Sequence, residues 1–114
     1  MSKLWIYQCE IRYNGEMSYR YVQVEVKETN KLYKSEKSMP FIYSCQVKKE
    51  DIGKIKESFG SYKVILTERD DEKVKEIISV RFQEKILQAQ QNLTKLNEQY
   101  ERFKNIELKE RNEQ

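Results

Sequence analysis

Between residues 81 and 92 the sequence places Arg81, Lys85, Gln88 and Asn92 at steps of 4, 3 and 4, with Phe82 beside the first of them. On a helix that spacing makes one stripe of two cations and two amides next to an aromatic plate. A cation can meet a phosphate, and amides donate and accept at once, which suits ribose hydroxyls and adenine edges. An aromatic face can stack on a base. The chemistry offered is therefore binding. Catalytic groups are scarce. The chain has no histidine, and so lacks the commonest general base and transition-metal ligand. Its two cysteines, Cys9 and Cys45, lie far apart without metal-ligand spacing, and the only glycines, Gly15, Gly53 and Gly60, form no phosphate loop. A non-enzymatic binding protein without a metal or cofactor is expected.

The stripe needs a helix to carry it. From Phe82 the apolar residues Ile86, Ala89, Leu93, Leu96, Tyr100 and Phe103 follow at alternating steps of 4 and 3. This 3.5-residue period is that of a coiled-coil seam, which has to be covered by another helix, the rest of the chain or a second copy. The flanking positions are Gln83, Gln90, Asn97 and Lys104 on one side and Lys85, Asn92, Gln99 and Ile106 on the other. A dimer specified by charge would put Glu and Lys there, and this chain has mostly amides. Such a flank fits either a ligand or plain solvation. Upstream, Val74, Ile78 and Phe82 step by 4 and 4, a slip from the later rhythm. Thr67 or Asp70 can cap the helix, with Asp71 and Glu72 at the positive end of its dipole. It is expected to run as far as Lys109, straight or bent, with the polar tail ELKERNEQ fraying.

Before the helix the pattern has period two. Residues 4–13, LWIYQCEIRY, put Trp5, Tyr7, Cys9, Ile11 and Tyr13 on one face of a strand. Residues 18–26, SYRYVQVEV, put Val22, Val24 and Val26 on one face and Tyr19, Tyr21 and Gln23 on the other. Asn14-Gly15 between them is the preferred dipeptide of a two-residue type I′ turn. That turn pairs Cys9 with Arg20, Tyr7 with Val22 and Trp5 with Val24, and leaves Arg20 on an otherwise apolar face. A partly buried arginine needs an anion, supplied by a ligand or by an ion pair with Glu16 or a helix carboxylate. Further strands are expected at 32–34, 41–47 and 62–67, with Pro40 at the start of the second. KKEDIGKIKESFG suggests a short helical turn ended by Gly60. The fold class is α+β: an N-terminal antiparallel β-sheet (1–69), then one long bent or two C-terminal α-helices (70–110) that form an oligomer interface, in a single domain.

Length and charge agree with this. A chain of 114 residues makes one domain with a modest core, near the size at which assembly helps. No apolar run is long enough to cross a membrane and no signal peptide opens the chain, so a cytoplasmic protein with free, buried thiols is expected. Residues 1–69 carry 13 Lys+Arg against 9 Asp+Glu, whereas residues 70–114 carry 9 against 10. The excess suits a small phosphate-bearing ligand better than a long nucleic acid.

The Tyr-rich hairpin with its Asn14-Gly15 turn, the segment VEVKETNKLYKS, the segment KKEDIGKI and the helix bearing Phe82 and Asn92 together resemble the phage Thoeris anti-defence proteins of the first type, over the whole chain. Thoeris defence uses a TIR-domain enzyme that makes a cyclic ADP-ribose isomer from NAD, and that signal activates a suicidal effector. The resemblance implies a sponge: a protein in the cytoplasm of the infected bacterial host that holds glycocyclic ADP-ribose isomers without cleaving them. It implies pockets at the edges of a helix-built homodimer, with hexamers, and further sites for cyclic di- or trinucleotides, in some members. Carried over by position, Phe82 stacks on adenine and Asn92 hydrogen-bonds the ligand. Arg20, Arg81, Arg102 and Arg111 all stay candidates for the phosphates, with Lys85 beside them. Two other readings compete. The helix could pair with and inhibit a host protein, or the basic, Tyr-rich sheet could bind nucleic acid weakly.

Overall fold

The computed structural model describes residues 2–111, which divide into two compact units, residues up to Ser79 and residues from Val80 on. The first unit holds six strands: β1 (Ser2–Ile11), β2 (Met17–Glu28), β3 (Leu32–Met39), β4 (Ser44–Lys48), β5 (Lys56–Ser58) and β6 (Ser61–Leu66). They form one curled antiparallel sheet in the order β4-β3-β2-β1-β6-β5. One helix follows, α1 (Asp71–Asn105), continuous over 35 residues rather than broken in two. It stops short of Lys109, and residues 106–111 carry no regular structure. The end of the polar tail, residues 112–114, lies outside the described residues. No helix among the described residues is long and apolar enough to cross a membrane.

β1 is the centre of the sheet because its alternation puts apolar residues on both faces. Leu4 and Ile6 join Val26, Tyr33, Met39, Val47 and Ile65 in the main core, and each such fully buried aliphatic side chain stabilises the fold by roughly 1.5–3 kcal/mol. On the other face Tyr7 and Cys9 are buried, as are their register partners Val64 and Tyr62 on β6. The opening turns of α1 bury Val74 and Ile78, and Lys75 lies 5.4 Å over the Tyr19 ring. Asp70 caps the helix, accepting a hydrogen bond from the Lys73 N–H at 3.1 Å. The apolar slip at Val74 and Ile78 thus belongs to the sheet-bound part of the helix.

The first hairpin differs from the expected register. Arg12 N–H donates to Glu16 O at 2.8 Å, and Gly15 N–H donates to Arg12 O at 2.9 Å, closing a three-residue loop rather than a two-residue one. Gly15, at φ +89°, takes the left-handed position that such loops reserve for glycine. The register moves by one residue, so Cys9 faces Tyr19, Tyr7 faces Tyr21 and Trp5 faces Gln23. A one-residue change turns every pairing over. Leu4 and Ile6 now share a face with Val24 and Val22, which is how the core is assembled.

Three further expectations are corrected. The segment KKEDIGKIKESFG is a single 3₁₀ turn, Lys49–Asp51, followed by β5, and Gly60 lies in the β5–β6 turn instead of ending a helix. There Ile11 N–H donates to Gly60 O at 2.7 Å, and a Cβ on Gly60 would sit 2.7 Å from Ile11 O, so only glycine allows β1 to approach. Pro40 lies in the β3–β4 turn, where Phe41 and Tyr43 both have positive φ. Of the two free thiols, Cys9 is buried, which pushes its pKa up, but Cys45 is exposed.

A clamp joins sheet and helix within this unit. The Tyr7 hydroxyl donates to Asp71 Oδ1 at 2.7 Å and accepts from the Asp70 N–H at 3.2 Å. Arg69 grips Asp71 through Nη2–Oδ2 at 2.9 Å and stacks 4.7 Å above the Tyr21 ring. Burial, then the bond to Asp71, pushes the Tyr7 phenol up to about 12. Arg69, then Tyr7, holds the Asp71 carboxyl below the usual carboxylate range. The signs are opposite at the two ends of the pH scale. Tyr7 contributes stability in full below its unfolded value of about 10, and that stability fades as pH climbs towards 12. Asp71 contributes above the ordinary carboxylate range, and its share fades as pH falls through its lowered folded value. Tyr7→Phe should cost roughly 1–2 kcal/mol at neutral pH, because the Asp70 N–H loses its acceptor. Urea midpoints measured across pH 9–12 should fall with pH for the parent and stay flatter for the variant.

Candidate ligand site on the helix flank

In the second unit the seam is uncovered. Ile86, Leu93, Leu96 and Phe103 are 56%, 59%, 61% and 74% exposed, and Tyr100 lies open with them. Apolar residues repeat on one side of this helix because the 3.5 period keeps them there, so the stripe is continuous rather than scattered. Its start is different: Phe82 is half-buried. The second unit begins at Val80, where the apolar rhythm changes.

Along the flank, Gln88 Nε2 donates to Asn92 Oδ1 at 3.0 Å, an i,i+4 pair that engages the Asn92 oxygen and leaves its NH₂ as a donor. Arg81 Nη1 pairs with Glu84 Oε2 at 3.3 Å, and Lys85 is exposed one turn on. Arg81, Phe82, Lys85, Gln88 and Asn92 are therefore brought onto one helical stretch, as their spacing implies. Ten residues separate Phe82 from Asn92, about 15 Å along the axis. Arg102 stands a further ten residues along, exposed, in the last turns of the helix beside Glu101 and Lys104, which pair at 2.9 Å. Arg111 is exposed beyond the helix end.

Arg20 belongs to the first unit and is not where the two-residue turn put it. It lies opposite Gln8 rather than Cys9, is exposed, and holds its guanidinium 5.3 Å over the Phe41 ring. Glu16, the ion-pair partner considered for it, meets Arg12 instead at 3.5 Å. A solvated arginine stacked on an aromatic ring needs no buried anion, so the argument from desolvation lapses.

Sequence reasoning missed a second concavity. The edges of the curled sheet, β4 and β5, approach around a cleft of about 520 Å³ with Ile42, Val47 and Ile65 below and Lys48, Lys56 and Lys63 at the rim. Lys56 is engaged by Asp51 at 3.0 Å. Only curling brings β4 and β5 together, and no local pattern announces it. Among the described residues no group of three or more His, Cys, Asp or Glu is placed to hold a metal. No protein-family model, no curated protein and no solved structure matches the chain.

Proposed function

We propose that this protein is a phage anti-defence sponge that binds glycocyclic ADP-ribose isomers and holds them uncleaved, in pockets beside a helix-built homodimer. The observation that carries this reading is the uncovered seam with a preset amide, Asn92, and a half-buried aromatic, Phe82, on its flank. Pairing of two seams would desolvate that flank, and buried amide bonds then discriminate strongly among ligands. Sequestration requires affinity and nothing more: each tenfold in dissociation constant takes about 1.4 kcal/mol. Lys85 and Arg81 supply positive charge for the phosphates beside Phe82, and Arg102, ten residues beyond Asn92, could reach the same ligand only from the partner copy. The test is melting with and without a glycocyclic ADP-ribose isomer, followed by recovery of the ligand from denatured protein. A rise of several degrees is expected, since ligand binds the native state only. Mass spectrometry should return the molecule unchanged, and a hydrolysed product would make the protein an enzyme.

The same open seam also fits a helix of a host protein, and that is the second reading. It predicts a monomer in isolation with no response to the nucleotide.

A further inference from the structure

β2 is a twelve-residue strand with unequal edges. Towards β1 it is paired over ten positions, from Ser2↔Val26 to Ile11↔Met17. Towards β3 it is paired at two, Lys27↔Lys34 and Glu28↔Tyr33. Beyond Lys34 the chain of β3 leaves the ladder, and its register with β4 is irregular until Met39↔Ser44. Between the separated edges runs a groove of about 870 Å³, flanked by Val22 to Lys27 on one side and Lys34 to Pro40 on the other.

Every residue of a strand presents a backbone donor and acceptor to one side or the other, alternating along the chain. From Met17 to Val26 β2 is laddered to β1 on one side only, and between Val22 and Val26 the backbone groups turned away from β1 border the groove. Its floor is apolar: Val22 and Val24 are half-buried against the core, and Val26 and Met39 are buried in it. Its rim carries Lys27, Lys34 and Lys37 against Glu25 and Glu36, all exposed.

We propose that this groove takes a lone extended peptide, added as a strand to the free edge of β2. The occupant follows from the two-sided geometry. A second copy would have to enter by an edge strand that is already joined on one side to its own sheet, and β3 stands in the way of that neighbour. A helix has no backbone groups left to give. A single extended segment has both edges free, and six residues at about 3.3 Å each span the stretch from Val22 to Lys27. Alternate apolar side chains meet Val22, Val24 and Met39, and acidic residues between them meet the lysine excess at the rim. This surface belongs to the first unit and does not depend on the sponge reading.

The experiment uses the full chain and a blocked hexapeptide alternating valine and glutamate. On binding, amide hydrogen exchange should slow at alternate positions within residues 22–26 and at no other strand. The same peptide N-methylated at alternate amides should bind at least about tenfold more weakly, because it cannot complete the ladder. Lys37→Glu, an exposed change on the rim, should weaken binding severalfold at low salt and leave the melting temperature unchanged. Three results would overturn the proposal: equal binding of the N-methylated peptide, unaltered exchange at residues 22–26, or protection there that rises with protein concentration in the absence of peptide. The last would assign the groove to self-association.

Discussion

Leu93→Lys should abolish self-association and leave the chain folded. Leu93 is 59% exposed in the single chain, so a lysine there keeps its charge in water and disturbs nothing in the monomer. In a closed seam the same lysine would be buried at a core position without a partner, and an unpaired buried charge costs about 3–5 kcal/mol. That is a loss of more than a hundredfold in dimer affinity, on the order of complete dissociation at micromolar protein. Light scattering should give a dimer or larger for the parent and 13.9 kDa for the variant, with unchanged helix and sheet signals by circular dichroism. A parent that scatters as a monomer in dilute solution removes the dimer, and with it any pocket at the dimer edge.

The second large effect concerns Phe82 and Asn92. Phe82→Ala removes the stacking plate, worth about 1–3 kcal/mol per base. Asn92→Ala leaves a ligand hydrogen bond unmade, for roughly 1–3 kcal/mol. Each should weaken capture by about ten- to a hundredfold. They are not equally informative. Phe82 is half-buried at the head of the seam, so its loss also acts through packing. Asn92 is exposed, its side chain is bonded by Gln88 one turn earlier, and alanine is the better helix former. Asn92→Ala should therefore keep its melting temperature and oligomer size and lose ligand. If it binds the ligand as tightly as the parent, the pocket does not lie on this flank.

How far the sequence could be read depended on the range of the interactions involved. The helix was legible because periodicity is a local signal, but whether it was one or two, and whether Thr67 or Asp70 capped it, stayed open until the structure showed one helix capped by Asp70. The strands of the first hairpin were legible too, but their register was not. Asn14-Gly15 suits a two-residue turn and equally the last two positions of a three-residue loop, and what decides between them is which face of β1 meets the core. Because β1 is apolar on both faces, the pattern matched its Trp5–Tyr7 face to Val22 and Val24, whereas in the structure Leu4 and Ile6 meet them. β5 escaped notice since three exposed residues, Lys56–Ser58, carry no alternation. The Tyr7–Asp71–Arg69 clamp spans more than sixty residues, and a tyrosine in a strand gives no hint of its hydroxyl's partner. On the candidate site, spacing placed Arg81, Phe82, Lys85, Gln88 and Asn92 on one stretch of helix. Arg20 was drawn in by a register that the core does not permit.

The most direct test of the account is titration calorimetry of the parent protein with a glycocyclic ADP-ribose isomer, set against linear ADP-ribose. The account predicts saturable binding of the cyclic isomer, tighter than that of the linear molecule by at least about tenfold, with the ligand recovered intact afterwards. Absence of heat and of any melting shift with the cyclic isomer, at concentrations well above those of a cellular messenger, would contradict it.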